Sequence, residues 1–182
     1  MSLFIDTHCH LDHVRFDNDL EAVIARATTA GVTQFIIPAI DLISARSALE
    51  LTSRFPDLKV AVGVHPLSCS HQGSIEKTIA ELHELSQDPC VVAIGEIGLD
   101  FHHGPNQQQQ LWLDAQLDLA STVGLPVILH NRDSTPKLLE RLRAWDERAQ
   151  LPNPTGVFHA FCAGQSTATW AVAAGFYLGI GG

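Results

Sequence analysis

The chain has 182 residues, 46% of them apolar and 17% charged, enough to bury one sizeable core, which excludes the disordered and fibrous classes. Its formal net charge of -9 runs against the basic face that nucleic-acid binders usually carry, although a site whose bound divalent cations supply the positive charge can still hold a phosphate. The start lacks the basic, apolar, small-residue order of a signal peptide and no apolar run is long enough to cross a bilayer, so the expectation is a cytoplasmic protein with no membrane association and no obligate protein partner.

Phe4 to His10 reads as a short apolar strand ending in two histidines one residue apart. Side chains alternate across a strand, so His8 and His10 share a face and can converge on one point, while Cys9 turns away. Asp17 or Asn18 is placed to cap a helix carrying Leu20, Val23, Ile24, Ala27 and Ala30 at helical spacing, with Gly31 ending it. Gln34 to Ile40 is a second strand, followed by a helix from about Ser44 to Arg54 that Pro56 stops. Lys59 to Pro66 is a third strand with His65 at its end, and Ser74 caps the next helix.

Val91 to Asp100 is the fourth strand, apolar almost throughout until Glu96. Asn106 precedes a long helix that opens with Gln107 to Gln110, read as solvated helix surface, and Gly124 lies just beyond its end. Pro126 to Arg132 is the fifth strand and Pro136 starts a helix that turns Leu138, Leu139, Leu142 and Trp145 inward. Thr155 to Phe161 is the sixth strand; a small-residue helix closed by Gly175 leads into a seventh, Phe176 to Ile180. The four cysteines, Cys9, Cys69, Cys90 and Cys162, form no C-x-x-C pair and read as reduced thiols.

Strands alternating with helices in this way imply parallel βαβ units, and continuous apolar strands imply a sheet covered on both faces. In a β/α barrel, functional groups gather at the carboxyl ends of the strands, which is where His8, His10, His65, Glu96, His130 and His159 fall. A doubly wound open sheet would show a glycine-rich phosphate loop after its first strand. Here that turn is His-Cys-His-Leu-Asp, so the α/β class with a TIM-like barrel is favoured.

Imidazoles and one carboxylate suit hard to borderline divalent ions, and Glu96 has two oxygens with which to bridge a pair of them. Two ions about 3.5–4 Å apart share a hydroxide and clamp a phosphoryl group. The absence of thiolate from the set argues against a closed structural zinc. Glu96 and His130 are the candidate catalytic residues.

Asp6-Thr7-His8-Cys9-His10-Leu11-Asp12, Gly63-Val64-His65-Pro66, Gly95-Glu96-Ile97-Gly98-Leu99-Asp100, His130-Asn131-Arg132-Asp133 and His159-Ala160-Phe161 together resemble the TatD-like metal-dependent deoxyribonucleases of the amidohydrolase superfamily. The ordered set is specific, and Gly-Glu-Ile-Gly-Leu-Asp is its most specific part. The resemblance implies DNA as substrate and two divalent ions, with magnesium, manganese, zinc and nickel not told apart by these ligands. It implies that His8 and His10 hold the first ion with Glu96 shared, that His130 and His159 hold the second, and that His65 and Arg132 contact a phosphate. Asp100 reads as a loop cap.

Two departures from the family pattern stand out. Ala160 occupies a position where the family usually has Cys. Family members also continue through an eighth strand ending in a Glu-Thr-Asp-like segment, which residues 1–182 lack, so the reading is one incomplete barrel of about seven β/α units in a fragment of a longer protein. A hydrolase of a small ester or amide, and an inactive truncated remnant, are the alternatives.

Overall fold

A computed structural model describes residues 3–149 and 154–181. Among them, strands and helices alternate as β1 (Phe4–Asp6), α1 (Leu20–Thr29), β2 (Val32–Pro38), α2 (Leu42–Thr52), β3 (Leu58–Val62), α3 (Ile75–Leu85), β4 (Val91–Asp100), α4 (Gln107–Val123), β5 (Val127–Arg132), α5 (Thr135–Arg148), β6 (Gly156–Phe158), α6 (Gln165–Ala173) and β7 (Phe176–Leu178). Every pairing is parallel and the sheet order follows the chain from β1 to β7. A doubly wound sheet would reverse direction at a switch point; the unbroken order is that of a β/α barrel. The sheet curls, since His8 beyond β1 stacks on His159 beyond β6 with ring centroids 4.0 Å apart.

Local chemistry explains most element boundaries. The Ser74 side chain caps α3 by accepting from Lys77 N, and Asn106 caps α4 by accepting from Gln108 N and Gln109 N. Gly124 ends α4 in the left-handed conformation, φ 70°, which glycine adopts without a Cβ clash. At α2 the cap is Asp41, which accepts from Ser44 N while Ser44 Oγ binds back, a reciprocal box that starts the helix at Leu42, earlier than expected. The first helix begins after Asp19 without a side-chain cap.

The main core lies between the sheet and the helices. Ile37, Val60, Val62, Ile94, Leu129 and Phe158 from the strands meet Leu82, Leu113, Leu117, Leu138, Leu142 and Trp145 from the helices. Trp145 is fully buried, and its indole N–H donates to Ser121 Oγ at 2.8 Å, the partner a buried tryptophan needs. On the opposite, concave face, Ile36, Ala61, Ala93, Ile128 and Val157 form a second apolar layer, one residue from each of β2 to β6. That is the interior layer of a barrel.

Several strands are shorter than the apolar runs suggested. β1 stops at Asp6, β3 at Val62 and β6 at Phe158, so His8, His10, His65 and His159 stand on loops just beyond the strands. His8 and His10 therefore do not converge by strand alternation; the turn after β1 brings them in.

Candidate metal centre

Glu96 is the hub. On β4, Ile94 pairs with Val127 and Ile97 with Leu129 on β5, three steps against two. The extra residue is a bulge, the device by which a strand re-aims one side chain, and it turns Glu96 into the barrel mouth. Glycines hold the neighbouring strands close enough for this: a Cβ at Gly98 (φ 148°) would stand 2.0 Å from His130 O.

Around the 3%-exposed Glu96 carboxylate, imidazole nitrogens converge. Its Oε1 lies 2.7 Å from His159 Nε2, 2.8 Å from His130 Nδ1 and 3.6 Å from His65 Nε2. Its Oε2 lies 3.3 Å from His8 Nε2 and 3.9 Å from His10 Nε2. Burial alone would raise the Glu96 pKa, but hydrogen bonds from His130, His159 and His8 outweigh it and hold the carboxylate ionised far below its usual range. Burial lowers the pKa of His10, and lowers His65 to about 4. At His130 burial acts the same way, yet Glu96 and Asp100 on its two nitrogens prevail and raise it.

The arrangement fits divalent cations. His8, Glu96 and His159 offer one set of ligand atoms within 4.8 Å of one another, and His65, Glu96 and His130 offer a second, with Glu96 common to both. The nitrogens are crowded, His130 Nδ1 lying 3.2 Å from His65 Nε2 and 3.3 Å from His159 Nε2. Protonating all of them would set like charges side by side, whereas a cation among lone pairs removes the conflict. His8 Nδ1 is buried without a hydrogen-bond partner, so no contact among the described residues holds a proton there.

The two histidines of the second set differ in chemistry. The Nε2 of His130 lies 3.1 Å from Asp100 Oδ2; with a proton held there, a cation would take the place of the Nδ1 proton that otherwise bonds Glu96, the carboxylate–histidine arrangement common behind metals. His65 Nδ1 instead accepts the Leu67 N–H at 3.1 Å, which leaves the proton on Nε2. Its face toward the centre is then an N–H donor, suited to an anionic oxygen rather than to a cation.

Of the residues singled out in the sequence, His8, Glu96, His130, His159 and His65 meet directly, and His10 stands at the rim, edge-on to the His8 ring at 5.0 Å. Arg132 is exposed at the end of β5, close enough to help lower the Asp100 pKa, which burial would raise and the His102 N–H and His130 bring down. Asp100 was missed. It caps the following loop through His102 N, as read, but its other oxygen holds His130. It lies four residues after Glu96 on the same strand, hence on the same face, and that spacing was the available signal. Gln109 also departs from the reading of a solvated glutamine run: it is buried, and its Oε1 accepts the Asp100 N–H.

Comparison with known proteins agrees with this geometry. The family model described as TatD related DNase matches residues 5–182. The chain is 41% identical over 187 residues to the uncharacterized metal-dependent hydrolase YjjV of Escherichia coli K12, covering 98% of this chain and 68% of that protein. It is 35% identical to the 3'-5' ssDNA/RNA exonuclease TatD of Edwardsiella piscicida, covering 98% and 67%. The crystal structure of YjjV superposes with a TM-score of 0.84 at 35% identity, over 96% of this chain and 66% of that one. A hydrolase TatD family protein from Entamoeba histolytica shares the fold, with a TM-score of 0.83 at 23% identity. The chain thus spans about two thirds of the length of these relatives. With a barrel-type sheet, a glutamate ringed by histidines and a family match over nearly its whole length, the chain belongs to the TatD family of metal-dependent hydrolases.

Proposed function

We propose that this chain carries the metal-binding centre of a two-metal nuclease that hydrolyses phosphodiester bonds in DNA. The observation that carries the reading is the convergence of five histidines on the ionised Glu96. His8 and His10, which face Glu96 Oε2, are assigned to one ion and His130 and His159, which face Oε1, to the other, with Glu96 shared by both. When bound, such ions activate water at neutral pH and polarise a phosphoryl group. Among these ligands, magnesium, manganese, zinc and nickel compete on similar terms.

The remaining residues position the substrate. His65 donates its Nε2–H to a non-bridging phosphate oxygen, and Arg132, exposed at the same end of the sheet, supplies a guanidinium that matches phosphate geometry. Asp100 fixes the ring of His130 from behind. The chemistry adds water across a P–O bond, leaving one phosphate and one hydroxyl end. Relatives named as ssDNA/RNA exonucleases support a nucleic-acid substrate. Among the described residues no helix is long and apolar enough to cross a membrane, and the cysteines stand as free thiols, which supports a reducing compartment such as the cytoplasm.

The test is release of nucleotides from DNA with Mn2+ or Zn2+ supplied. The reading requires loss of release on chelation and a drop of at least about 100-fold in His130→Ala, at the upper end of what loss of metal-site groups costs. Release that survives both treatments would overturn it. Faster turnover of a small carboxylic ester or amide than of DNA would move the substrate class to the second reading, which the net charge of -9 favours.

A further inference from the structure

A cleft lies against the metal centre and is not used by the assignment above. Its two walls leave the centre from adjacent residues: the 3-10 segment Pro66–His71 starts directly after His65, and the loop into α4 starts directly after Asp100. Between them Pro66, Ser70, Asp100, His103, Pro105 and Gln109 line a cavity of about 280 Å3. Small-molecule sites run from about 300 to 1,000 Å3, so this one has room for a single ring system.

Gln109 is the unusual group in that wall. It sits in the first turns of α4 and yet is 4% exposed. Its Oε1 is taken by the Asp100 N–H at 3.0 Å, which fixes the amide plane and leaves Nε2 without a hydrogen-bond partner among the described residues. That donor borders the cavity, where a ligand can reach it.

The lining selects against an anion. Among the described residues neither Lys nor Arg borders the cavity, Asp100 adds a carboxylate, and the Asn106 side chain already takes the Gln108 and Gln109 N–H groups that an anion at the start of α4 would need. What remains is amide, hydroxyl and imidazole edges, flanked by the flat faces of Pro66, Pro105 and the exposed His103 ring. Amide side chains read base edges, and aromatic rings stack on base faces.

We propose that this cleft is a nucleobase subsite. It takes the base of the nucleotide whose phosphate lies at the Glu96 cluster, with Gln109 Nε2 donating to an acceptor on the base edge and His103 against its face. The proposal rests on the nuclease reading and makes Gln109 a specificity-determining residue.

The test is calorimetric titration of the Mn2+-loaded chain with the four deoxynucleoside 5'-monophosphates and with deoxyribose 5-phosphate as a baseless probe. The mononucleotides are expected to bind about tenfold or more tighter than deoxyribose 5-phosphate, in an order set by the base. Gln109→Glu keeps an oxygen for the Asp100 N–H but replaces the free donor with an acceptor, and should abolish or invert that order. His103→Ala, at an exposed loop position that the fold does not need, should cut the base advantage several-fold and leave deoxyribose 5-phosphate binding within about twofold. Equal affinity for all five probes, or a base advantage unchanged in both variants, overturns the subsite and leaves the nuclease reading standing. Failure of every probe to bind, deoxyribose 5-phosphate included, overturns both.

Discussion

Replacing Gly98 with Ala should loosen the centre from a position that touches no metal ligand's side chain. The added Cβ would stand 2.0 Å from His130 O, 2.8 Å from His130 C and 2.9 Å from His130 N. Ordinary contact begins beyond 3.4 Å, so β4 and β5 must part by roughly 1 Å or more where Gly98 faces His130. Overpacking of this kind costs about 1–3 kcal/mol, and the φ of 148°, which alanine resists, adds about 1–3 kcal/mol. For a chain of this length each kcal/mol lowers Tm by about 2–4 °C, so the expected fall is roughly 5–20 °C, a large share of a total stability of about 5–15 kcal/mol. Because His130 moves with β5, Mn2+ affinity should fall about 10- to 100-fold. Gly104→Ala is the control: its φ is also positive, at 100°, but nothing lies within 4 Å of the added Cβ, so it carries the conformational cost alone and leaves the centre intact. Thermal unfolding and Mn2+ titration of both variants decide the matter. A Gly98→Ala chain as stable as Gly104→Ala, with wild-type Mn2+ affinity, would refute the argument that close strand approach positions the centre.

Further outcomes follow from burial and charge. Burial lowers the His65 pKa from 6.5 to about 4; between those values the unfolded chain binds the proton and the folded chain does not, so this residue penalises folding increasingly as pH falls from about 6.5 to about 4. The full penalty is roughly 3 kcal/mol. Metal-free His65→Asn should therefore lose less Tm than the wild type between pH 7.5 and 5, and parallel losses would contradict the assignment. Burial pushes the Cys69 thiol up to about 12, so about one molecule in 10,000 carries the thiolate at pH 8; iodoacetamide should alkylate exposed Cys162 well before Cys69, as peptide mapping would show. Leu113→Ala empties a fully buried position in the helix layer and should cost about 2–5 kcal/mol in chemical denaturation, whereas a loss under 1 kcal/mol would mean that α4 does not pack as described.

Much of this was legible in the residues because the relevant patterns are local. Ser74, Asn106 and Gly124 marked helix ends through their own hydrogen bonds or their own φ, and the apolar runs marked buried parallel strands. What periodicity does not encode is where pairing stops. Phe4 to His10 is continuous enough to pass for one strand, yet pairing with β2 ends at Asp6, and tertiary contact rather than alternation gathers His8 and His10. The role of Asp100 was hidden for a related reason: its partner is a histidine 30 residues away on the neighbouring strand. Gln109 looked like one more helical glutamine because its tie to the Asp100 N–H at the end of β4 is a tertiary contact that helical periodicity does not show. The bulge at Glu96 has a sequence correlate in the glycines on either side, Gly95 and Gly98, but its register exists only in the pairing with β5.

The measurement that bears most directly on the centre is the metal stoichiometry of the purified, metal-stripped chain, read by native mass spectrometry and calorimetry with Mn2+ and Zn2+. A pair of sites sharing one carboxylate predicts two ions per chain in the wild type and loss of both in Glu96→Ala, because each ion is then left with two imidazoles and no shared carboxylate. No binding by the wild type, or two ions retained by Glu96→Ala at unchanged affinity, would contradict the assignment of Glu96 as the shared ligand.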